Sequence, residues 1–349
     1  MRLLVTGGCG FIGSNLIRKV VNHPALEQLV NVDCLTYAGH VENVEDVAGN
    51  PNYVFERVDL RNKREVFRVV GDHGITHVLH LAAESHVDRS IGNPGDFLET
   101  NVLGTFHLLE ACRAIWSADL ENKRFHHVST DEVYGSLGPT GYFTESTPYA
   151  PNSPYSATKA SSDMLVRAYH RTYGLPTLIT ICSNNYGPFQ FPEKFIPLIL
   201  QSVVARKPIP VYGDGMNVRD WLFVRDHTQA LWHVLQRGQT GESYNIGGWN
   251  EWTNLRIAEL ICDLADEMTS RTVGSSRELI TFVQDRPGHD RRYAIDASKL
   301  ERALGWKPVY TFENGIRETI QWYLEHQEWI SRVTRPRSLD PIHSASQPK

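Results

Sequence analysis

The sequence predicts an α/β fold, a doubly wound parallel sheet followed by a smaller mixed α/β carboxy-terminal lobe. Two observations carry that reading. Short apolar runs rich in branched residues alternate with helical patterns from residue 3 to residue 182. The first of these runs also opens into a glycine-rich turn, Gly7 to Gly13, that leads directly into a helical pattern.

The expected strands cover 3–6, 29–32, 53–57, 77–80, 126–129 and 177–182, and helical patterns between them cover 11–21, 63–71, 95–116 and 155–173. After Asn184 the texture changes. Pro188, Pro192, Pro197, Pro208 and Pro210 interrupt the chain, Gly213-Asp214-Gly215 signals a turn, and helical patterns return at 223–236, 254–268 and 312–325. This places a main unit at 1–183 and a smaller lobe at 184–330, some of whose segments can return to the main sheet. A tail rich in Ser, Pro and charge, 331–349, is expected to be disordered.

Composition narrows the function classes. The 349 residues suffice for one large domain or two closely joined ones. A net charge of −5 supports neither a nucleic-acid nor a membrane-surface partner, and no apolar run approaches the ~20 residues needed to span a bilayer. The opening Met1-Arg2-Leu3-Leu4-Val5-Thr6-Gly7 reads as a buried strand and is too short for a signal peptide. Five scattered cysteines without C-x-x-C point away from a disulfide framework or a metal site and toward a reducing cytoplasm. Of the fifteen histidines, none forms a His-x-x-x-His cluster with a nearby carboxylate, and His126-His127 is expected to be structural.

The glycine turn spaces Gly7-x-x-Gly10-x-x-Gly13, which suits a tight turn, close approach of backbone to a pyrophosphate and close helix–sheet packing. Asp33 follows 20 residues after Gly13 at a strand end, where a carboxylate accepts hydrogen bonds from both ribose hydroxyls and repels a 2′-phosphate. NAD is therefore favoured over NADP, on a Rossmann-type sheet. Asp59 is placed to touch the adenine edge, and Leu81, Ala82 and Ala83 supply small or apolar residues beside the cofactor.

Tyr155 and Lys159 stand one helical turn apart on one face. A nearby ammonium lowers a phenol pKa, which would bring the tyrosinate within reach of neutrality, and Lys159 can also reach a nicotinamide ribose. Asp131 and Glu132 form an adjacent carboxyl pair. In a dry cleft such a pair separates its titrations so that one member stays protonated, though side-chain type alone does not say which. An acidic first helical turn favoured by the helix macrodipole is the plainer alternative.

The Gly7–Gly13 turn together with Tyr155-x-x-x-Lys159 resembles the extended short-chain dehydrogenase/reductase family, whose members act mostly on nucleotide sugars. Within it, Ser129-Thr130-Asp131-Glu132-Val133-Tyr134-Gly135, Asp33-Cys34-Leu35-Thr36-Tyr37-Ala38-Gly39, Ala83-Glu84-Ser85-His86-Val87-Asp88-Arg89-Ser90 and Asp285-Arg286-Pro287-Gly288-His289-Asp290 closely resemble the dTDP-glucose 4,6-dehydratases. The likeness runs from about residue 1 to 330. Cys34 departs from it, standing where a lysine is expected, at the adenosine end.

The resemblance implies NAD as cofactor, held by Gly7, Gly10, Phe11, Ile12, Gly13, Asp33, Leu35, Thr36, Asp59, Leu60, Leu81, Ala82, Ala83, Ser85, Thr100, Tyr155, Lys159 and Asn185. It implies a dTDP-glucose substrate met by Ser85 and Thr130 at the sugar, by Asn184, Arg219 and Arg286 at the diphosphate, and by Lys194, Pro210, Tyr212, Asn254 and His289 around the nucleotide. The implied chemistry has three stages: Tyr155, aided by Thr130, takes the 4-hydroxyl proton as hydride passes to NAD; Glu132 removes the C5 proton while Asp131 protonates the departing 6-hydroxyl; hydride returns to C6. Helices 95–116 and 155–173 resemble those that pair across a homodimer axis. A UDP- or CDP-glucose 4,6-dehydratase, a nucleotide-sugar 4-epimerase, a uronic-acid decarboxylase and an NAD-binding regulatory protein are the competing readings. The epimerase has no need of a carboxyl pair, and the decarboxylase would carry serine at position 131.

Overall fold

The computed structural model describes residues 1–335. Its first half follows the expected alternation: β1 (Arg2–Thr6), α1 (Phe11–Val20), β2 (Gln28–Asp33), β3 (Tyr53–Arg57), α2 (Lys63–Asp72), β4 (His77–His80), α3 (Val87–Gly92), α4 (Pro94–Phe97), α5 (Gly104–Ile115), β5 (Arg124–Thr130), α6 (Pro154–Tyr173) and β6 (Thr177–Cys182). The remainder comprises β7 (Asn184–Tyr186), α7 (Phe195–Ala205), β8 (Ile209–Tyr212), β9 (Val218–Phe223), α8 (Val224–Arg237), β10 (Ser243–Ile246), β11 (Glu251–Thr253), α9 (Asn254–Met268), β12 (Ile280–Val283), α10 (Ser298–Leu304), α11 (Phe312–Glu325) and α12 (Gln327–Val333).

Seven parallel strands form the main sheet in the order β3-β2-β1-β4-β5-β6-β10. The chain reverses direction across the sheet between β1 and β4, which opens a crevice at their carboxyl ends. Successive side chains of β1 go to opposite faces. Leu4 joins Val30, Val78 and helices α2, α5 and α6, whereas Leu3 and Val5 join Leu29 and the face covered by α1 and α8. A third core, around Tyr186, Trp221, Phe223, Ile257 and Phe312, lies beneath β7, β9, α9 and α11.

Four details depart from the expected elements. The seventh strand, β10, comes from beyond residue 183; it is only four residues long and pairs with β6 at the sheet edge. The expected helix 95–116 is broken into α4, a wide π-type turn at Leu98–Leu103, and α5. Helix α7 lies where prolines suggested interruption, because Pro197 falls in its first turn, where a missing N–H costs nothing. Helix α12 reaches Val333, so the start of the expected tail is helical; 336–349 lies outside the described residues. Two small sheets, β11-β9-β7 and β12-β8, complete the lobe.

Candidate active site

The carboxyl ends of β1, β2, β4, β5 and β6 line one cleft of about 340 Å³, within the ~300–1000 Å³ typical of small-molecule sites.

At one end the wall is backbone. Gly7 has φ +71°, and a Cβ on it would lie 2.8 Å from the Ala82 backbone; a Cβ on Gly13 would lie 2.3 Å from the Gly7 carbonyl. Both positions therefore require glycine, and the amino terminus of α1 faces the cleft without side chains in the way. Asp33 ends β2 and its carboxylate is fixed by the N–H groups of Cys9 (2.9 Å) and Leu35 (2.8 Å). Asn185 and Gln190 each carry a buried amide oxygen without a hydrogen-bond partner beside the same cleft. A glycine cradle, an oriented carboxylate and unsatisfied acceptors for a carboxamide suit a dinucleotide.

Of the expected cofactor residues, Gly7, Gly10, Phe11, Ile12, Gly13, Asp33, Thr36, Leu81, Ala82, Ala83, Ser85, Thr100, Tyr155, Lys159 and Asn185 line the cleft. Leu35, Asp59 and Leu60 do not. The Asp59 carboxylate clamps Arg61 (2.7 Å), Leu60 is buried in the core beneath α5, and Leu35 turns into the opposite core. Tyr37, Gln190 and Phe191 line it without having been anticipated; no local motif marks them, since they arrive from separate loops. Asn101 was also missed. Buried in the π-type turn, it holds the loop after β4 through Glu84 N (2.8 Å) and Glu84 O (3.0 Å), and ties it to α6 through Thr158 (3.0 Å).

The chemical residues sit where β5 meets α6. Thr130 ends β5, and Asp131–Tyr134 forms a single tight turn closed by Gly135 at φ +87°. A Cβ there would lie 2.5 Å from Ala150 O, which forces glycine and turns the pair Asp131-Glu132 inward. Asp131 and Glu132 do stand in the first turn of that short helix, but Asp131 is only 2% exposed and both line the cleft. Helix α6 begins with Ser153 as N-cap, reciprocally bonded to Ser156, and with Pro154 at its first position. That start delivers Tyr155 and Lys159 to the cleft wall.

Electrostatics separates the two carboxyls. Burial pushes Asp131 well above the ordinary carboxylate range, and the neighbouring Glu132 charge pushes it further. Burial also raises Glu132, but Arg286 and Arg219 draw it back down. Asp131 is thus the member held protonated, and one of its oxygens (Oδ2) is buried without a partner. Tyr155 departs from expectation. Burial and then the Glu132 charge push its phenol well up, while Thr130, hydrogen-bonded to it, acts in the opposite sense. Lys159 does not bring the phenol down, because its ammonium is turned onto Val128 O (2.8 Å). The Cys34 thiol is raised to about 12 by burial and is chemically quiet.

The substrate candidates divide. Asn184, Ser85, Thr130 and Lys194 line the cleft, with Lys194 Nζ 3.4 Å from Ser85 O. Arg219 and Arg286 are near enough for their charge to bear on Glu132, but their guanidiniums have protein partners: Arg219 donates to Val218 O and Asp290 O, and Arg286 pairs with Asp88 at 3.5 Å. Tyr212 and His289 meet edge to face at 6.3 Å, Pro210 lies in β8 and Asn254 opens α9; none of these six is in the cleft wall. Among the described residues, no group of three or more His, Cys, Asp or Glu side chains could hold a metal ion.

Residues 4–319 match the family described as GDP-mannose 4,6 dehydratase. A dTDP-glucose 4,6-dehydratase of Neisseria meningitidis is 56% identical, the alignment covering 95% of this chain and 96% of that protein. The chain belongs to the dTDP-glucose 4,6-dehydratase family, among the extended short-chain dehydrogenases/reductases. Solved dTDP-glucose 4,6-dehydratases from Bacillus anthracis (TM-score 0.85, 45% identity) and Streptomyces venezuelae (TM-score 0.87, 42% identity) each cover 96% of this chain and match over their full lengths. Both were crystallised with NAD. Asp131, Glu132, Tyr155 and Lys159 all line one cleft here.

Proposed function

We infer that the chain is an NAD-dependent dTDP-glucose 4,6-dehydratase, a hydro-lyase that converts dTDP-glucose to dTDP-4-keto-6-deoxyglucose and water. The observation that carries this reading is the inward-turned pair Asp131-Glu132 beside Tyr155, with Asp131 held as the acid. A 4-epimerase shares the fold, as a Thermus thermophilus UDP-glucose 4-epimerase at TM-score 0.83 illustrates, but an epimerase has no use for that pair.

Gly7–Gly13, Asp33 and Leu81–Ala83 would hold NAD, which would supply a hydride acceptor at C4, a hydride donor at C6 and a positive charge opposing the upward push on the phenol. Tyr155 takes the 4-hydroxyl proton while Thr130 hydrogen-bonds the same oxygen. The 4-ketone acidifies C5, Glu132 removes that proton, Asp131 protonates the leaving 6-hydroxyl as water, and C5 is reprotonated as hydride arrives at C6. Asn184, Lys194, Arg219 and Arg286 meet the diphosphate, where guanidinium forks match phosphate oxygens.

The active form is a homodimer. Leu103 on the turn before α5 and Met164 on α6 are 42% and 58% exposed, and Ala157, Ser161 and Ala168 continue that face with small residues that allow close helix packing. The protein works in the cytoplasm. No helix among the described residues is long and apolar enough to cross a membrane, and Cys34, Cys112, Cys182 and Cys262 carry free thiols, as a reducing compartment maintains. The test is turnover of dTDP-, UDP- and CDP-glucose without added reductant. A 4-keto-6-deoxy product from dTDP-glucose in preference to the others is expected; a galactose product, or none, contradicts the reading.

A further inference from the structure

Beneath the cleft lies a buried polar cluster outside the machinery described so far. Lys159, 4% exposed, sends its ammonium into the protein, onto Val128 O at 2.8 Å and to 3.4 Å from His127 Nε2. The same Nε2 lies 3.1 Å from Asp163 Oδ1, while Asp163 Oδ2 accepts from Ser129 Oγ (2.7 Å) and Tyr149 Oη (2.8 Å). His127 and Asp163 are 1% and 0% exposed. His127, Asp163 and Tyr149 do not line the cleft.

An isolated buried ammonium is expensive, so a buried lysine that must stay charged needs an opposite charge close by. Asp163 lies one turn beyond Lys159 on α6 and supplies it. One imidazole nitrogen faces both the cation and the anion: it meets Lys159 Nζ and lies 3.1 Å from Asp163 Oδ1, an oxygen without a hydrogen-bond partner that a protonated Nε2 would satisfy. The three groups therefore share their protons as a unit. We propose that Asp163, acting through His127, is a positioning residue that keeps Lys159 charged and fixes its ammonium against β5. The proposal rests on the reading of Lys159 as part of the active site.

The other groups facing the cluster are His80 on β4, whose ring lies 5.2 Å from that of His127, Cys182 on β6, Tyr134 in the turn after β5, whose ring meets Tyr149 at 5.4 Å, and Arg167, bonded to Tyr149 at 3.1 Å. Burial pulls Lys159 down, and the Asp163 charge is the largest influence opposing it. Burial in turn raises Asp163 to about 6, against the pull of Lys159, Ser129 and Tyr149.

The test is the pH profile of kcat on dTDP-glucose in the full-length chain. Asp163→Asn keeps the shape and removes the charge, so Lys159 loses its proton at lower pH. The alkaline limb is expected to move down by roughly one pH unit, with KM for dTDP-glucose unchanged. Asp163→Glu keeps the charge and should leave the alkaline limb where it is; Asp163→Ser, also neutral, should move that limb down and carries the test if Asp163→Asn does not fold. A uniform loss at every pH, or a raised KM with unmoved limbs, means that the cluster is merely structural and overturns the proposal. Wild-type protein that fails to turn over dTDP-glucose, or Lys159→Met at full rate, removes the active-site reading itself and the proposal with it.

Discussion

The two ends of the cleft are built on different principles. At the cofactor end, Gly7, Gly13 and Asp33 are fixed by backbone: a Cβ at either glycine collides with main-chain atoms, and two N–H groups pin the carboxylate. At the nucleotide-sugar end, the candidate cations are held by side chains and carbonyls that an anionic substrate must displace. Arg286 pairs with Asp88, Arg219 lies over the Tyr293 ring at 4.2 Å and bonds Asp290 O, and Lys194 Nζ lies 3.4 Å from Ser85 O. One end is rigid by sterics and the other is a set of exchangeable charge pairs. Substitutions should therefore act on binding in an all-or-none way at the first and by degrees at the second, with the chemistry concentrated between them.

The largest expected effects lie at that junction. Glu132→Gln removes the base, so water loss should fall by about 10²–10⁴-fold while reversible reduction of bound NAD, followed by its NADH absorbance, persists. Normal elimination in that variant would show the base to be elsewhere. Tyr155→Phe should instead suppress the transient NADH signal, since the first step loses its proton acceptor.

Next in size is Gly13→Ala, whose methyl would meet the Gly7 carbonyl at 2.3 Å. Titration with NAD should show binding lost outright, and a merely weakened site would blur the contrast between the two ends. Arg286→Ala is expected to raise KM for dTDP-glucose about tenfold, ~1.4 kcal/mol, leaving NAD affinity unchanged. A fall in NAD affinity there would mean that the ends are coupled.

The smallest effect concerns stability. Asp131 has its folded-state pKa raised by burial, so the native state binds a proton that the unfolded chain gives up. Its contribution is present below the ordinary aspartate range and is lost as pH rises through the folded value. Asp131→Asn should therefore melt higher than wild type at neutral to alkaline pH and converge with it in acid, as calorimetry across pH would reveal.

The contrast between the ends also explains what the sequence made legible. The strands at 53–57, 77–80 and 177–182 and the cofactor turn could be read because their signals are local: branched apolar runs, a glycine spacing, a carboxylate at a strand end. Asn101, Gln190 and Tyr37 could not, because each matters only through loops brought together by the sheet. The direction of the Tyr155 shift was misread for a related reason. Spacing puts Lys159 on the same helix face, but not which way its ammonium turns, and His127, expected to be structural, proved to be one of the groups it turns toward. Strand β10, Ser243-Tyr244-Asn245-Ile246, was hidden because Ser243 and Asn245 interrupt any apolar run, and the π-type turn by a helical pattern that continues through it.

The central claim is that Glu132 and Asp131 carry a C5 proton removal and return within one closed turnover. The most direct measurement is turnover of dTDP-glucose in deuterated water, with the product read by NMR. One solvent deuterium at C5 of the 4-keto-6-deoxy sugar is expected, with the hydrogen delivered to C6 coming from the substrate's own C4. A product without deuterium at C5, or with solvent deuterium in place of the transferred hydrogen at C6, would contradict it.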